Sequence, residues 1–254
     1  MTDDALAQAI RQAALEAGNH IMRIYATDFD VATKDDASPV TDADEGAEKI
    51  ILAALEKLTP EIPIVAEERA AAGHIPDIGD GPFWLVDPLD GTREFINRNG
   101  DFTVNIALIR DGRPALGTVY APARDLMFVA AGPGQVTREV EGGAACQIAC
   151  RATPADGAVV VASRSHLSPE TEDWLKTQKV QSMSPAGSSL KFCLVATGEA
   201  DLYPRHGRTM EWDTAAGHAV LAAAGGSVRR TDGNDLTYGK SGFENPHFIA
   251  RGLD

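Results

Sequence analysis

Cysteine is scarce in this chain. Three occur in 254 residues, Cys146, Cys150 and Cys193, with no Cys-x-x-Cys spacing, so neither a disulfide framework nor a zinc site is supported. Long apolar runs are missing too. No stretch approaches the ~20 residues of a membrane-spanning helix, and Met1-Thr2-Asp3-Asp4 lacks the basic-then-apolar layout of a secretory leader. Together these absences predict reduced thiols and a cytoplasmic location, with a peripheral station at the inner membrane face left open. Positive charge is also in deficit: 23 Lys and Arg face 37 Asp and Glu, a formal net charge of -14. That balance disfavours nucleic acid or an anionic membrane as a partner. No glycine-rich dinucleotide fingerprint follows any predicted strand, which argues against a Rossmann-type dehydrogenase. Internal repeats and low-complexity tails are absent as well.

What is present suits a globular fold. A hydrophobic fraction of 44% and this length allow one large domain or two intimately packed lobes. Leu6, Ile10, Ala13, Ala17, Ile21 and Ile24 recur at helical intervals and predict an amphipathic first helix capped by Asp3 or Asp4. Thr41-Asp42-Ala43-Asp44 offers a capping sequence for a second helix, with Ala43, Ala47, Ile50, Ile51, Ala54, Leu55 and Leu58 as its buried stripe. From residue 102 to 148, short strands separated by turn signals predict an antiparallel sheet, with the two helices on one face. After residue 151 strands and helices alternate. The expectation is an N-terminal α+β lobe over residues 1–150 and a smaller α/β lobe over 151–254.

Acidic residues gather at predicted strand ends. The run 83–86 reads as a buried strand that stops at Asp87, where Pro88 bends the chain and Gly91 permits a tight turn. Thr92 would cap a following helical turn. Such a turn aims Asp87 and Asp90 into one space, with the Leu89 carbonyl as a third oxygen, and hard cations such as magnesium take oxygen ligands of this kind. The amides near Gly91 and Thr92 suit a phosphate. An equally ordinary capped turn, facing water, uses the same residues. A strand over 62–66 delivers Glu67 and Glu68 at its tip, and Trp212-Asp213-Thr214 places another acid at a helix start. Four such acids would repel one another unless cations relieved them, and cations so held can polarise a phosphoryl oxygen.

Glu67-Glu68, Asp87-Pro88-Leu89-Asp90-Gly91-Thr92 and Trp212-Asp213-Thr214-Ala215-Ala216-Gly217 resemble, in order and spacing, the signature of the inositol monophosphatase superfamily of magnesium-dependent, lithium-sensitive phosphomonoesterases. The resemblance covers nearly the whole chain. Arg93-Glu94-Phe95-Ile96-Asn97-Arg98, Gly187-Ser188-Ser189-Leu190-Lys191 and Leu202-Tyr203-Pro204-Arg205 are similar to its 3'(2'),5'-bisphosphate nucleotidase branch, a narrower likeness carried by softer motifs.

The resemblance implies an α+β, layered αβαβα sandwich. It implies two or three magnesium ions held by Glu67, Asp87, Asp90, Asp213 and the Leu89 carbonyl. Thr92, assisted by Asp42 and with Glu67 beside it, would orient and deprotonate the attacking water. The Gly91 and Thr92 amides would hold the scissile phosphate, and His166, Ser188, Lys191 and Arg205 the nucleotide and its second phosphate. The expected reaction removes the 3'-phosphate of adenosine 3',5'-bisphosphate, with phosphoadenylyl sulfate as a second substrate. The alternatives are an inositol monophosphate or sugar phosphate at the same metal site, or a silent module that binds without turnover. The partner is a small phosphorylated nucleotide, and the state a monomer or homodimer.

Overall fold

The computed structural model describes residues 1–33, 39–163 and 168–253. Helix α1 (Asp3–Tyr25) buries Leu6, Ile10, Ala13, Ala17 and Ile21, as its periodicity predicts. Its cap is Thr2, whose hydroxyl accepts the Ala5 N–H at 3.3 Å. Asp3 is committed elsewhere, its carboxylate accepting from Arg110 Nη1 and Nη2, each at 2.8 Å. A short antiparallel pair, β1 (Ala32–Thr33) and β2 (Pro39–Val40), leads into α2 (Asp42–Leu58), which Thr41 and Asp44 open with a reciprocal capping box.

The first sheet has seven strands: β3 (Ile64–Ala66), β4 (Phe83–Asp90), β5 (Thr103–Arg110), β6 (Arg113–Ala121), β7 (Leu126–Gly132), β8 (Gln135–Val140) and β9 (Cys146–Gln147), adjacent in that order. All neighbours are antiparallel except β3 and β4. Two five-residue helices, α3 (Glu67–Ala71) and α4 (Thr92–Ile96), follow β3 and β4 directly. On one face, α1 and α2 cover Trp84, Val86, Ile106, Leu108 and Leu116. Trp84 is fully buried, and its indole N–H reaches Thr59 Oγ1 at 2.9 Å, so its one polar atom is satisfied.

The second half adds β10 (Ala158–Ser163), α5 (Pro169–Leu175), β11 (Val180–Ala186), α6 (Leu190–Ala196), β12 (Leu202–Arg205), α7 (Glu211–Ala223), β13 (Ser227–Arg230) and β14 (Phe248–Arg251). Its five strands run in the order β11, β10, β12, β14, β13. Helix α7 is apolar or small almost all round, the pattern of a helix enclosed on every side, and it lies with α6 between the two sheets in one shared core. Helix α5 covers part of the far face through Trp174 and Leu175. The result is the layered αβαβα sandwich.

Glycine lets α7 lie close on the first sheet. A Cβ at Gly117 of β6 would stand 2.6 Å from Ala219 Cβ and 2.9 Å from the Ala216 carbonyl of α7. Only a bare backbone allows this approach.

Strand β4 departs from the expected course. It does not stop at Val86 but runs on to Asp90, with a register break between Asp87, opposite Asn105, and Asp90, opposite Thr103. Side chains in a regular strand alternate faces, so residues three apart diverge. The one extra residue here is a bulge, placed where Pro88 has no N–H to give the ladder. It turns both carboxylates the same way.

Candidate active site

Parallel pairing of β3 with β4, with Ala66 opposite Val86, brings Glu67 to the same sheet end as Asp87. Asp213 arrives from the other half, in the first turn of α7, where its Oδ2 accepts the Met210 N–H at 2.9 Å. Asp87 Oδ1 accepts the Leu89 N–H at 3.1 Å and Asp90 Oδ2 the Ser189 N–H at 2.7 Å. One oxygen of each aspartate is therefore fixed by a backbone donor.

Burial and mutual repulsion govern the charge here. Asp87 is 2% exposed, and its pKa is driven well up by desolvation first and then by the negative charges of Glu67, Asp90 and Asp213. Asp90 is raised to about 6 by burial, against the opposing pull of Lys191 and the Ser189 N–H. Asp213 rises to about 8, again chiefly by burial, with Asp90 and Glu67 adding to it. Among the described residues no three acidic, histidine or cysteine side chains already form a closed metal cage. The donor set nevertheless fits magnesium: carboxylates and a carbonyl only, brought together at a cost that a divalent cation would remove.

Beside the acids lies a cavity of about 160 Å³, lined among others by Asp90, Gly91, Ser188, Lys191, Arg205 and Asp213. Lys191 is 5% exposed; its ammonium donates to the Ser188 carbonyl at 2.6 Å and stands 5.3 Å from the Tyr203 ring centre. Desolvation lowers its pKa to about 8, with Asp90 acting in the other direction. Arg205 donates through Nη2 to the Arg208 carbonyl at 3.1 Å, while its Nε is buried without a partner among the described residues. Two cationic side chains thus share a small cavity with two of the acids.

One expected residue is displaced. Asp42 is exposed at the start of α2, and the carboxylate that meets Thr92 belongs to Asp44, whose Oδ1 receives the Thr92 hydroxyl at 3.1 Å. The second acceptor near that hydroxyl is the Leu89 carbonyl at 3.3 Å. Thr92 does not cap α4. Gly91 holds that position with φ +94°, and Thr92 is the first helical residue, which points its hydroxyl sideways to α2. His166 lies outside the described residues.

Other contributors carried no individual signal in the sequence. Glu94, Thr209 and Thr214 line the same cavity. Ser189, 1% exposed, ties the two halves together: its N–H holds Asp90, its hydroxyl donates to the Asp213 carbonyl at 2.7 Å, and its oxygen receives Asn105 Nδ2 at 3.1 Å. Glu48 caps α3 by accepting the Glu68 and Arg69 N–H groups at 2.8 and 3.1 Å. Asp44 and Glu48 sit four apart within an apolar stripe, and two acids in a buried face are a readable sign of a committed role.

A layered αβαβα sandwich with carboxylates from both halves converging at one sheet end defines the class. The chain belongs to the inositol monophosphatase family, whose profile matches residues 2–251. Within that class it is similar to the 3'(2'),5'-bisphosphate nucleotidase CysQ of Salmonella typhimurium, at 48% identity over 244 residues, 95% of this chain and 97% of the relative. The CysQ of Escherichia coli K12 is 48% identical over 240 residues, 93% and 96% of the two chains. Among solved structures, CysQ from Bacteroides thetaiotaomicron aligns with TM-score 0.81 and 37% identity over 98% of each chain. An inositol monophosphatase from Zymomonas mobilis aligns with TM-score 0.79 and 27% identity over 100% of this chain and 94% of its own.

Proposed function

We propose that this protein is a magnesium-dependent phosphomonoesterase that removes the 3'-phosphate of adenosine 3',5'-bisphosphate, giving AMP and phosphate, with phosphoadenylyl sulfate as a second substrate. The observation that carries this reading is the cavity in which Asp90 and Asp213 meet Lys191 and Arg205. It offers a cation site and an anion site side by side, as a substrate with a scissile phosphate and a second phosphate requires. The likeness to CysQ enzymes along nearly the whole chain supports the same choice.

Magnesium, held by Glu67, Asp87, Asp90, Asp213 and the Leu89 carbonyl, would polarise the phosphoryl group and make the attacking water more acidic. The rest falls to the protein. Thr92 Oγ1, hydrogen-bonded to Asp44, accepts a proton from that water while its own proton passes to Asp44, and Glu67 helps to orient the water. The water oxygen attacks phosphorus in line, the bond from phosphorus to the 3'-oxygen breaks, and the 3'-oxygen departs on the Asp213 side and takes a proton from a solvent water there to leave as the alcohol. The Gly91 and Thr92 amides hold the scissile phosphate. Ser188, Lys191 and Arg205 hold the second phosphate, and His166 belongs to the same group through its motif.

Phosphate release from adenosine 3',5'-bisphosphate, inositol monophosphate and fructose bisphosphate, compared at equal concentration with and without magnesium, tests the proposal. The bisphosphate nucleotide should be turned over fastest and only with the metal. Preference for inositol phosphate would remove the nucleotide assignment, and release from none of them would remove the enzymatic one.

A further inference from the structure

The described active-site residues lie on one face of the five-stranded sheet. In its ladder Arg205 stands opposite Phe248, on the face that meets α6 and α7. Side-chain alternation sends the next positions to the far face. There Leu202 pairs with Arg251, Pro204 with Ile249, and Ile249 in turn with Arg229 of β13. Helix α5 covers the Leu202 end of this face and leaves the β14 and β13 end to a cleft of about 500 Å³, a volume typical of small-molecule sites.

The cleft is lined by Trp174, His206, Arg229, Arg230 and Arg251 among others, with Glu170 as its one carboxylate among the described residues. In a chain where acids outnumber bases 37 to 23, this is a local reversal of sign. The Arg251 guanidinium lies 5.8 Å from the Trp174 ring centre. Arg230 is paired with Asp232, and His206 Nδ1 is within 3.0 Å of Thr171 Oγ1. Guanidinium forks match phosphate oxygens in geometry and charge, and an indole beside them offers a plate for a flat ring. Apolar floor, aromatic wall and clustered arginines together describe a receptor for a phosphorylated ring compound.

We propose that this cleft is a second, non-catalytic binding site for a nucleotide-sized phosphomonoester, with AMP as its ligand. The choice of AMP rests on the function proposed above, whereas the phosphate recognition does not. Residues 205 and 206 face the two cavities from adjacent positions at the end of one strand, so the site lies directly behind the catalytic one.

Fluorescence titration with AMP in the presence of a chelator tests this. Trp84 and Trp212 are 0% and 8% exposed, while Trp174 is half-buried and lines the cleft. Expected are saturable quenching that Trp174→Phe abolishes, weaker binding at higher salt, and at least a tenfold loss of affinity in Arg229→Ser/Arg251→Ser. That double variant should keep wild-type magnesium-dependent phosphate release, which also shows that it folds. Inorganic phosphate that displaces AMP at equal concentration would identify free phosphate as the source of the anion; phosphate that displaces it only in large excess would identify the nucleotide. The site is overturned if no saturable quenching occurs, if the double variant binds AMP as tightly as wild type, or if adenosine quenches as strongly as AMP. Failure of phosphate release in the wild-type protein would instead strike the catalytic reading and leave these binding results standing.

Discussion

Asp42 and Asp44 are two positions apart on the same helix and have opposite fates. Asp42 faces water, while Asp44 is 1% exposed and, among its partners, one oxygen receives the Thr41 N–H and hydroxyl at 2.8 and 2.7 Å and the other the Thr92 hydroxyl at 3.1 Å. The cap was legible because it is local. The contact with Thr92, 48 positions away, was not, because a capping box looks complete without it. Asp44→Asn should lower kcat by about 10²–10⁴, the range of a lost general base, whereas Asp42→Asn should change it less than about twofold; steady-state phosphate release distinguishes the two. Asp90→Asn should cut turnover by a similar or larger factor. Because it removes one of several repelling buried charges, it should also raise the melting temperature of the chelator-treated protein, read by thermal denaturation.

Elements were more legible than the joints between them. The periodicities of α1 and α2, the strand series after residue 102 and the helix at Asp213 all follow from apolar spacing, and the structure reproduces them with shifts of a few residues. The bulge in β4 could not be read this way. Asp87-Pro88-Leu89-Asp90 looks like a turn after a strand, yet ladder partners on the next strand, Asn105 and Thr103 of β5, keep it in the sheet. The approach of α7 to β6 is a property of two distant segments, and Gly117 and Ala219 carry no mutual signal. Gly117→Ala should therefore cost about 1–3 kcal/mol, the usual scale of overpacking, measured by urea unfolding. Because the displaced helix carries Asp213, the same variant should lose activity out of proportion to its stability.

Across the whole molecule the buried acids and one buried histidine pull stability in opposite directions with pH. Asp213 keeps its proton in the fold up to about 8, far above the carboxyl of an unfolded chain. The folded state then binds more protons through that interval, and stability must fall as pH rises toward 8. Asp90 contributes in the same direction up to about 6. His218 is depressed to about 4 by burial, so below about 6.5 the unfolded chain gains the extra proton and the histidine's contribution to stability falls as pH drops. The acids outnumber the histidine, so in chelator the melting temperature should decline from about pH 5 to 8.5, with His218 only blunting the gain at the acidic end. Asp213→Asn should flatten the alkaline decline. Excess magnesium should abolish it, with a larger stabilisation at pH 8 than at pH 6, since the ion displaces the protons these acids hold.

The contributions from the two halves have a consequence for how such an enzyme can diversify. Glu67, Asp87, Asp90 and the Thr92–Asp44 pair come from the first half, whereas Ser188, Lys191, Arg205 and Thr209 reach the cavity from the second. Apart from Asp213, the groups proposed to cut the bond and those proposed to choose the ester are inherited on separate stretches of chain. Substitutions at Ser188, Lys191, Arg205 and Thr209 can therefore retune substrate choice while the cutting apparatus passes unaltered from one descendant to the next, provided that Ser189, which holds Asp90 and Asp213, is kept.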